Sequence, residues 1–264
     1  MSSKSERRAA ARQAREQQEH AARKAAERRR RFLQLGGVLA LAAVVVIVAA
    51  VVLGGGGDDE RAPADGSAPS AAQSREVGAL FAGIPQRGTV LGDPDAPATL
   101  TEYADLQCPF CAEYARDVLP TVVRDYVRPG RLKLDLQLMS FLGPDSVRAA
   151  QMAAAAGMQN RMWPFAELFY RNQGQENSGY VTDEFLRGIA SATPGLDAER
   201  AMRDRDSQEA AEAVQGVTRT AERAGVNSTP TFFVSRGRGE PRALELQTLT
   251  PAEFTAKLDA ALQR

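Results

Sequence analysis

Two cysteines stand three apart, as Cys108-Pro109-Phe110-Cys111, and the 264-residue chain has no others. A chain this long with one such pair is not a disulfide-framework scaffold. As a structural staple the pair would close a minimal loop, and the constraint a disulfide places on the unfolded chain grows with loop length. A C-x-x-C at a strand-to-helix junction reads instead as a redox-active dithiol, whose thiolate is the nucleophile. No other cofactor is needed, since the Cys108–Cys111 disulfide is itself the redox group.

Other thiol chemistries fail for want of partners. A closed zinc site needs two further thiolate or imidazole ligands. The single histidine, His20, lies far upstream in a charged arm, so no metal site is expected. Cys–His nucleophilic catalysis loses its base for the same reason.

The elements around the pair must place it. Thr89-Val90-Leu91 is a short strand candidate, and Thr99 to Asp105 reads as a strand ending just before the cysteines. Pro109 suits the first turn of a helix, where its missing N–H costs nothing. Cys108 would then sit at the helix N-terminus, where free N–H groups and the dipole favour an anion. Cys108 is expected to be the exposed attacker, and Cys111, one turn in, to resolve the mixed disulfide. Apolar spacing at Tyr114, Val118, Val122 and Tyr126 continues the helix, with a kink expected at Pro120. Leu132, Leu134, Leu136 and Leu138 alternate with polar residues as a period-two strand. Strand, helix and strand make a βαβ unit with parallel strands.

Residues 144–224 read as an all-helical insert. β-structure resumes at Thr231 to Val234, with a partner strand expected near Ala243 to Leu246. Thr250-Pro251-Ala252-Glu253 is a capping-box start for a last helix. The fold class is therefore α/β: a thioredoxin-like fold with an inserted helical subdomain, over 85–264.

Upstream, residues 1–31 form a basic arm, and Phe32 to Leu53 is an apolar run of about 20 residues, enough to cross a hydrocarbon core of ~30 Å. Asp58, Asp59 and Glu60 follow it. Positive charge concentrated before the span, with Arg61 alone close behind it, orients the N-terminus to the cytoplasm. A run longer than a signal-peptide core points to an uncleaved signal anchor over 32–53, preceding a flexible linker over 54–84. Within that linker Val77, Leu80, Phe81 and Ile84 suggest a short amphipathic turn docking on the domain. The reading is a single-pass membrane protein of the bacterial cell envelope, its catalytic domain extracytoplasmic. Whole-chain charge is balanced, with 33 Lys+Arg against 33 Asp+Glu. The arm is basic, so the exported part is net acidic, which argues against nucleic-acid binding there.

Strand–Cys108-Pro109-Phe110-Cys111–helix, the downstream Asn227-Ser228-Thr229-Pro230-Thr231-Phe232-Phe233-Val234, and Trp163-Pro164-Phe165-Ala166-Glu167-Leu168-Phe169 with Asn172-Gln173 resemble the DsbA family of thiol-disulfide oxidoreductases. The resemblance runs from about Gly88 to the C-terminus. It implies that Thr229-Pro230 is a cis-proline loop that, with Pro109 and Phe110, contacts an extended substrate strand. It also implies that Glu102, on a strand face with Leu100 and Ala104, is a buried acid of raised pKa serving Cys111. Asp105, nearer the cysteines, is the alternative acid. The aromatics of the insert are expected to pack its core, some lining a peptide groove. The best-known family members carry His where this chain has Phe110, so Cys108 should be less acidic than in a His version.

The expected partners are exported proteins bearing thiols and a quinone-linked membrane reoxidant of the DsbB or VKOR type. Three functions fit: a thiol oxidase, a reductase or isomerase fed by a membrane reductant, and a non-catalytic peptide-binding or chaperone module.

Overall fold

The computed structural model describes residues 68–263. The basic arm, the 32–53 span and residues 54–67 of the 54–84 stretch proposed as linker lie outside the described residues. Among the described residues no helix is long and apolar enough to cross a membrane.

Strand β3 (Ala98–Ala104) holds the centre of a six-stranded sheet of order β1-β2-β4-β3-β5-β6. Its neighbours are β4 (Lys133–Leu138), parallel, and β5 (Thr231–Arg236), antiparallel. β1 (Gln86–Arg87) and β2 (Val90–Leu91) extend the β4 side antiparallel, and β6 (Arg242–Ala243) closes the other edge. β4 buries Leu134, Leu136 and Leu138 in strict alternation, as its period-two pattern requires. β3 is covered on both faces, because Leu100, Glu102 and Ala104 share one and Tyr103 fills the other.

Helix α2 spans 109–127 and joins the parallel strands, giving the expected βαβ unit. It consists of α-helix at Pro109–Glu113 and Leu119–Val122, each followed by a π turn, at Tyr114–Val118 and Val123–Val127. The pattern explains this. Tyr114, Val118, Val122 and Tyr126 recur every fourth residue, and in a pure α-helix each step of four overshoots a full turn by about 40°. All four are nevertheless buried. The wider π turns absorb the drift and keep the stripe on the core. The first also accommodates Pro120, which has no N–H to give, by shifting the hydrogen bond of Leu119 back to the Tyr114 carbonyl. The break expected at Pro120 is thus a π turn placed just ahead of it.

The expected linker over 54–84 is corrected from Ser70 onward. Helix α1 (Ala71–Phe81) starts at a capping box of Ser70 and Gln73 and buries Val77 and Phe81. The Arg128 guanidinium donates to the carbonyls of Ala79, Leu80 and Ala82 at 3.1, 2.8 and 3.0 Å, satisfying acceptors at the helix end. Phe81 packs on Trp163 with ring centroids 6.4 Å apart. The four apolar residues read as a docking turn are therefore the anchor of a full helix. Phe81→Ala should cost the full chain about 3 kcal/mol in urea unfolding, from lost burial and the cavity left behind.

The insert holds α3 (Pro144–Met158), α4 (Met162–Arg171), α5 (Asp183–Ala192), α6 (Ala198–Asp204) and α7 (Gln208–Arg223). α6 escapes a periodicity reading because it is short and buries only Ala201 and Met202; its sequence marker is Asp197, whose carboxylate caps the Arg200 N–H at 2.9 Å. The expected strand over 243–246 is shorter than foreseen. Leu244 N–H still bonds to the Phe232 carbonyl, but Gln247 and Thr248 give their N–H groups to the Glu253 carboxylate instead of to a neighbouring strand. Helix α8 (Pro251–Gln263) is capped by Thr250, and Glu253 reaches back to these two residues rather than to Thr250. Its Phe254 joins Tyr114 and Phe232 in an aromatic cluster under the cysteines.

Candidate active site

Beyond β3 the chain turns at Asp105-Leu106-Gln107, and buried polar side chains fix that turn. The Asp105 carboxylate accepts from the N–H groups of Gln107, Phe141 and Leu142 and from the Ser146 hydroxyl, at 2.7–3.0 Å. Gln107 donates to Ser146 and accepts from the Asn177 N–H at 2.8 Å. Gln173 donates to the carbonyls of Leu106 (2.7 Å) and Cys108 (3.2 Å). Asp105 is thus a loop anchor with its acceptor capacity filled, which removes it as the alternative acid. The sequence reading missed Gln107 entirely and used Gln173 only as part of a motif. An amide side chain beside a chemically loaded turn was the available signal.

Cys108 is the N-cap of α2, in extended conformation, and its carbonyl accepts the Ala112 N–H at 3.2 Å. The two thiols are strongly unlike. Cys108 is pulled down to about 6, first by a hydrogen bond with the Cys111 thiol, against the effect of burial, and then by Thr229 and the N–H groups of Cys111 and Phe110. Burial pushes Cys111 well above the ordinary thiol range, and the bond to Cys108 and the Cys108 charge add to this. The expectation of an exposed Cys108 is corrected. Only 5% of its surface is accessible, because the Thr229 loop lies against it and its sulfur contacts the Thr229 carbonyl at 3.3 Å. The exposed member of the motif is Phe110, at 61%.

The Thr229-Pro230 peptide is cis, as the resemblance implied. With Phe110 and Glu113 on one side and Leu246 to Leu249 on the other, it lines an open groove of about 370 Å³. The contribution of residues 246–249 was not foreseen: Leu246 was read as the end of a strand, and 247–249 were assigned no role. Trp163, Phe165, Phe169 and Tyr170 are all buried and line no part of this groove. The hollow of about 480 Å³ between the β5–β6 hairpin and α8 is lined by none of Phe110, Thr229 and Pro230. Phe110→His should lower the Cys108 midpoint below that of the native protein, read from thiolate absorbance; an unchanged or higher midpoint would remove Phe110 as a determinant.

Glu102 pairs in register with Leu136 and Phe232, at the heart of the sheet. Its carboxyl is raised to about 8, by burial first and then by the charges of Glu167 and Cys108. Glu167, on α4, was read only as part of a packing motif. A carboxylate on an otherwise apolar helix, four residues before Arg171, marked it as something else.

A family model described as Thioredoxin matches residues 86–249. The probable disulfide bond formation protein D of Bacillus anthracis is 29% identical over 158 residues, covering 57% of this chain and 71% of that protein. Oxidised BdbD from Bacillus subtilis superposes with a TM-score of 0.59 at 22% identity, covering 69% of this chain and 98% of that one. Wolbachia pipientis α-DsbA1 gives a TM-score of 0.57 at 20% identity, over 66% and 90%. At those identities the two solved structures speak for the fold, and the family match rests on the sequence as well. With unlike thiols at a helix N-terminus beside a cis-proline loop, the chain belongs to the thioredoxin family as a DsbA-like thiol-disulfide oxidoreductase.

Proposed function

We propose that this protein is a membrane-anchored thiol oxidase that donates its Cys108–Cys111 disulfide to exported proteins outside the cytoplasm. The observation that carries the direction is the setting of Cys108, the N-cap of α2 with the Cys111 thiol and the N–H groups of Phe110 and Cys111 turned to it, which favours its thiolate. A stabilised thiolate favours the reduced form, so the disulfide is readily given away. The name of the Bacillus anthracis relative, a disulfide bond formation protein, supports the same direction. The anchor rests on the 32–53 apolar run and its flanking charges.

In the first step a substrate thiolate in the Phe110–Thr229–Leu249 groove attacks the Cys108 sulfur. The Cys108–Cys111 bond breaks, and Cys111 leaves with the electron pair and takes a proton from Glu102. A second substrate thiolate then attacks the substrate sulfur of the mixed disulfide, and Cys108 departs as thiolate. The second departure is easy because Cys108 is the more acidic thiol. The Thr229 backbone and Pro230, with Pro109 and Phe110 opposite, hold the substrate strand extended. A quinone-linked membrane enzyme of the DsbB or VKOR type would take the two electrons and restore the disulfide.

Alkylation of thiols in intact cells tests the direction. The pair should be mostly disulfide at rest; a pair found mostly as dithiol would make the protein a reductase or isomerase. In Cys111→Ser cells Cys108 should accumulate in mixed disulfides with exported proteins, and a failure to trap any would leave only a non-catalytic peptide-binding module.

A further inference from the structure

Behind the cysteines, strand β3 and helices α2 and α4 enclose a cavity of about 10 Å³, bordered by Glu102, Tyr114, Glu167 and Tyr170. That volume suits about one water molecule, which needs two to four polar partners. The partners are present. Glu167 Oε1 accepts from the Arg171 Nε–H at 2.8 Å, while its buried Oε2 finds no protein partner. The Tyr114 hydroxyl, buried on a ring fixed between Phe232 and Phe254, also finds none. Buried polar atoms are rarely left unsatisfied, and orphans grouped around one small cavity mark a shared ligand.

We propose that Glu102, Glu167 and Tyr114 hold one water and share one proton, with Glu167 as the positioning residue that keeps this proton on Glu102, ready for Cys111. The inference rests on the proposed role of Glu102 and adds Glu167 and the water to it. Two carboxyls that border one small buried cavity do not readily both ionise. Burial raises Glu167 as well, but Arg171 works against it: its ion pair favours the Glu167 anion and so leaves the shared proton to Glu102. The other groups facing the pair agree. From α2 come Tyr114, Cys108 and Cys111, and from α4 Tyr170, whose charges would all oppose a second anion; Arg116 and Arg171 face Glu167. β4 and β5 offer only Leu136 and Phe232.

Arg171 also pairs with Glu76 of α1 at 2.8 Å, where Glu76 is well exposed. Arg171 thus fastens the buried Glu167 to a carboxylate at the surface. When Cys111 leaves the disulfide with the bonding electrons, it takes the proton that Glu167 and the water have kept on Glu102, and Glu102 is left as the carboxylate. In the reverse reaction Cys111 returns that proton to Glu102.

The test is the pH profile of single-turnover disulfide transfer to a dithiol peptide, using the full chain in detergent. The native profile should show a break where Glu102 ionises, above the ordinary carboxyl range because burial and Glu167 raise it, although the disulfide lacks the Cys108 charge that raises it further in the dithiol. Glu167→Gln removes the like charge and should move that break down by about one pH unit. Arg171→Gln, a change at the edge of the core, removes the counter-ion and should move it up, because the pair then holds its proton longer. A break unmoved by Arg171→Gln, or by a folded Glu167→Gln, overturns the proposal. Glu102→Gln separates the two readings: it should abolish the break, and a break that survives it overturns the role of Glu102 itself. If Glu102→Gln abolishes the break while the other two leave it in place, only the shared proton is wrong.

Discussion

Replacing Cys108 by serine should bring disulfide transfer down to the uncatalysed rate, a loss of at least about 10³-fold, because nothing else in the site can take its place. Cys111 is wholly buried and held well above the ordinary thiol range, so at neutral pH almost none of it is thiolate and none is within reach of a substrate. Glu102 cannot act as a nucleophile toward sulfur from beneath the sheet. The same variant should lose the thiolate absorbance step near pH 6. Cys111→Ser should keep that step, since a serine hydroxyl still donates to the Cys108 sulfur. Cys111→Ala should move it upward, since it removes the hydrogen bond that contributes most to the low value. A step near pH 6 that survives in Cys108→Ser would mean that the acidic group has been misassigned.

Glu102→Gln should make the reduced protein more stable, and increasingly so as the pH rises. The folded chain holds the Glu102 proton to about pH 8, whereas the unfolded chain releases it near 4.5. Between those values the native state binds the extra proton, so each rise in pH favours unfolding, and above about pH 8 the penalty is complete. Its ceiling, 3.5 units at 1.36 kcal/mol each, is about 5 kcal/mol. A neutral amide removes it, at the cost of burying its own polar atoms, so a net gain of about 2–3 kcal/mol is expected at pH 8.5 and little at pH 5. Urea unfolding at the two pH values measures this. The same variant should slow transfer about 100-fold at neutral pH, through loss of the acid that serves Cys111. Equal stability of the two proteins at pH 8.5 would show that Glu102 is not held protonated.

What the sequence made legible was chiefly local. The C-x-x-C at a strand end, Pro109 opening a helix and the Leu132–Leu138 alternation each announce their element through neighbours in sequence. Glu102 was legible because its strand face is otherwise apolar. Thr229-Pro230 became legible only through resemblance, since nothing in an isolated X-Pro fixes its isomer. The groove wall at 246–249 and the Glu102–Glu167 encounter were not legible, because both join segments far apart in the chain. Helix α1 was half legible: four apolar residues pointed to docking, but the preceding Ala, Gly and Ser suggested a tether. The decisive partner, Arg128, lies 46 residues beyond the Ala82 carbonyl it binds.

The π turns of α2 have a consequence for how this helix tolerates changes in length. A π turn closes its hydrogen bond one residue later than an α turn, as Arg128 N–H to the Val123 carbonyl does here, so each turn stores one surplus residue. Deleting a residue from an α-helix rotates everything downstream by about 100°. Deleting one from 123–127, the turn on which no proline depends, would instead convert it to α geometry and leave the flanking faces where they are. The helix that begins at Cys108 and ends beside Arg128 can therefore be shortened by single-residue deletions while the cysteines and the far end keep their orientation.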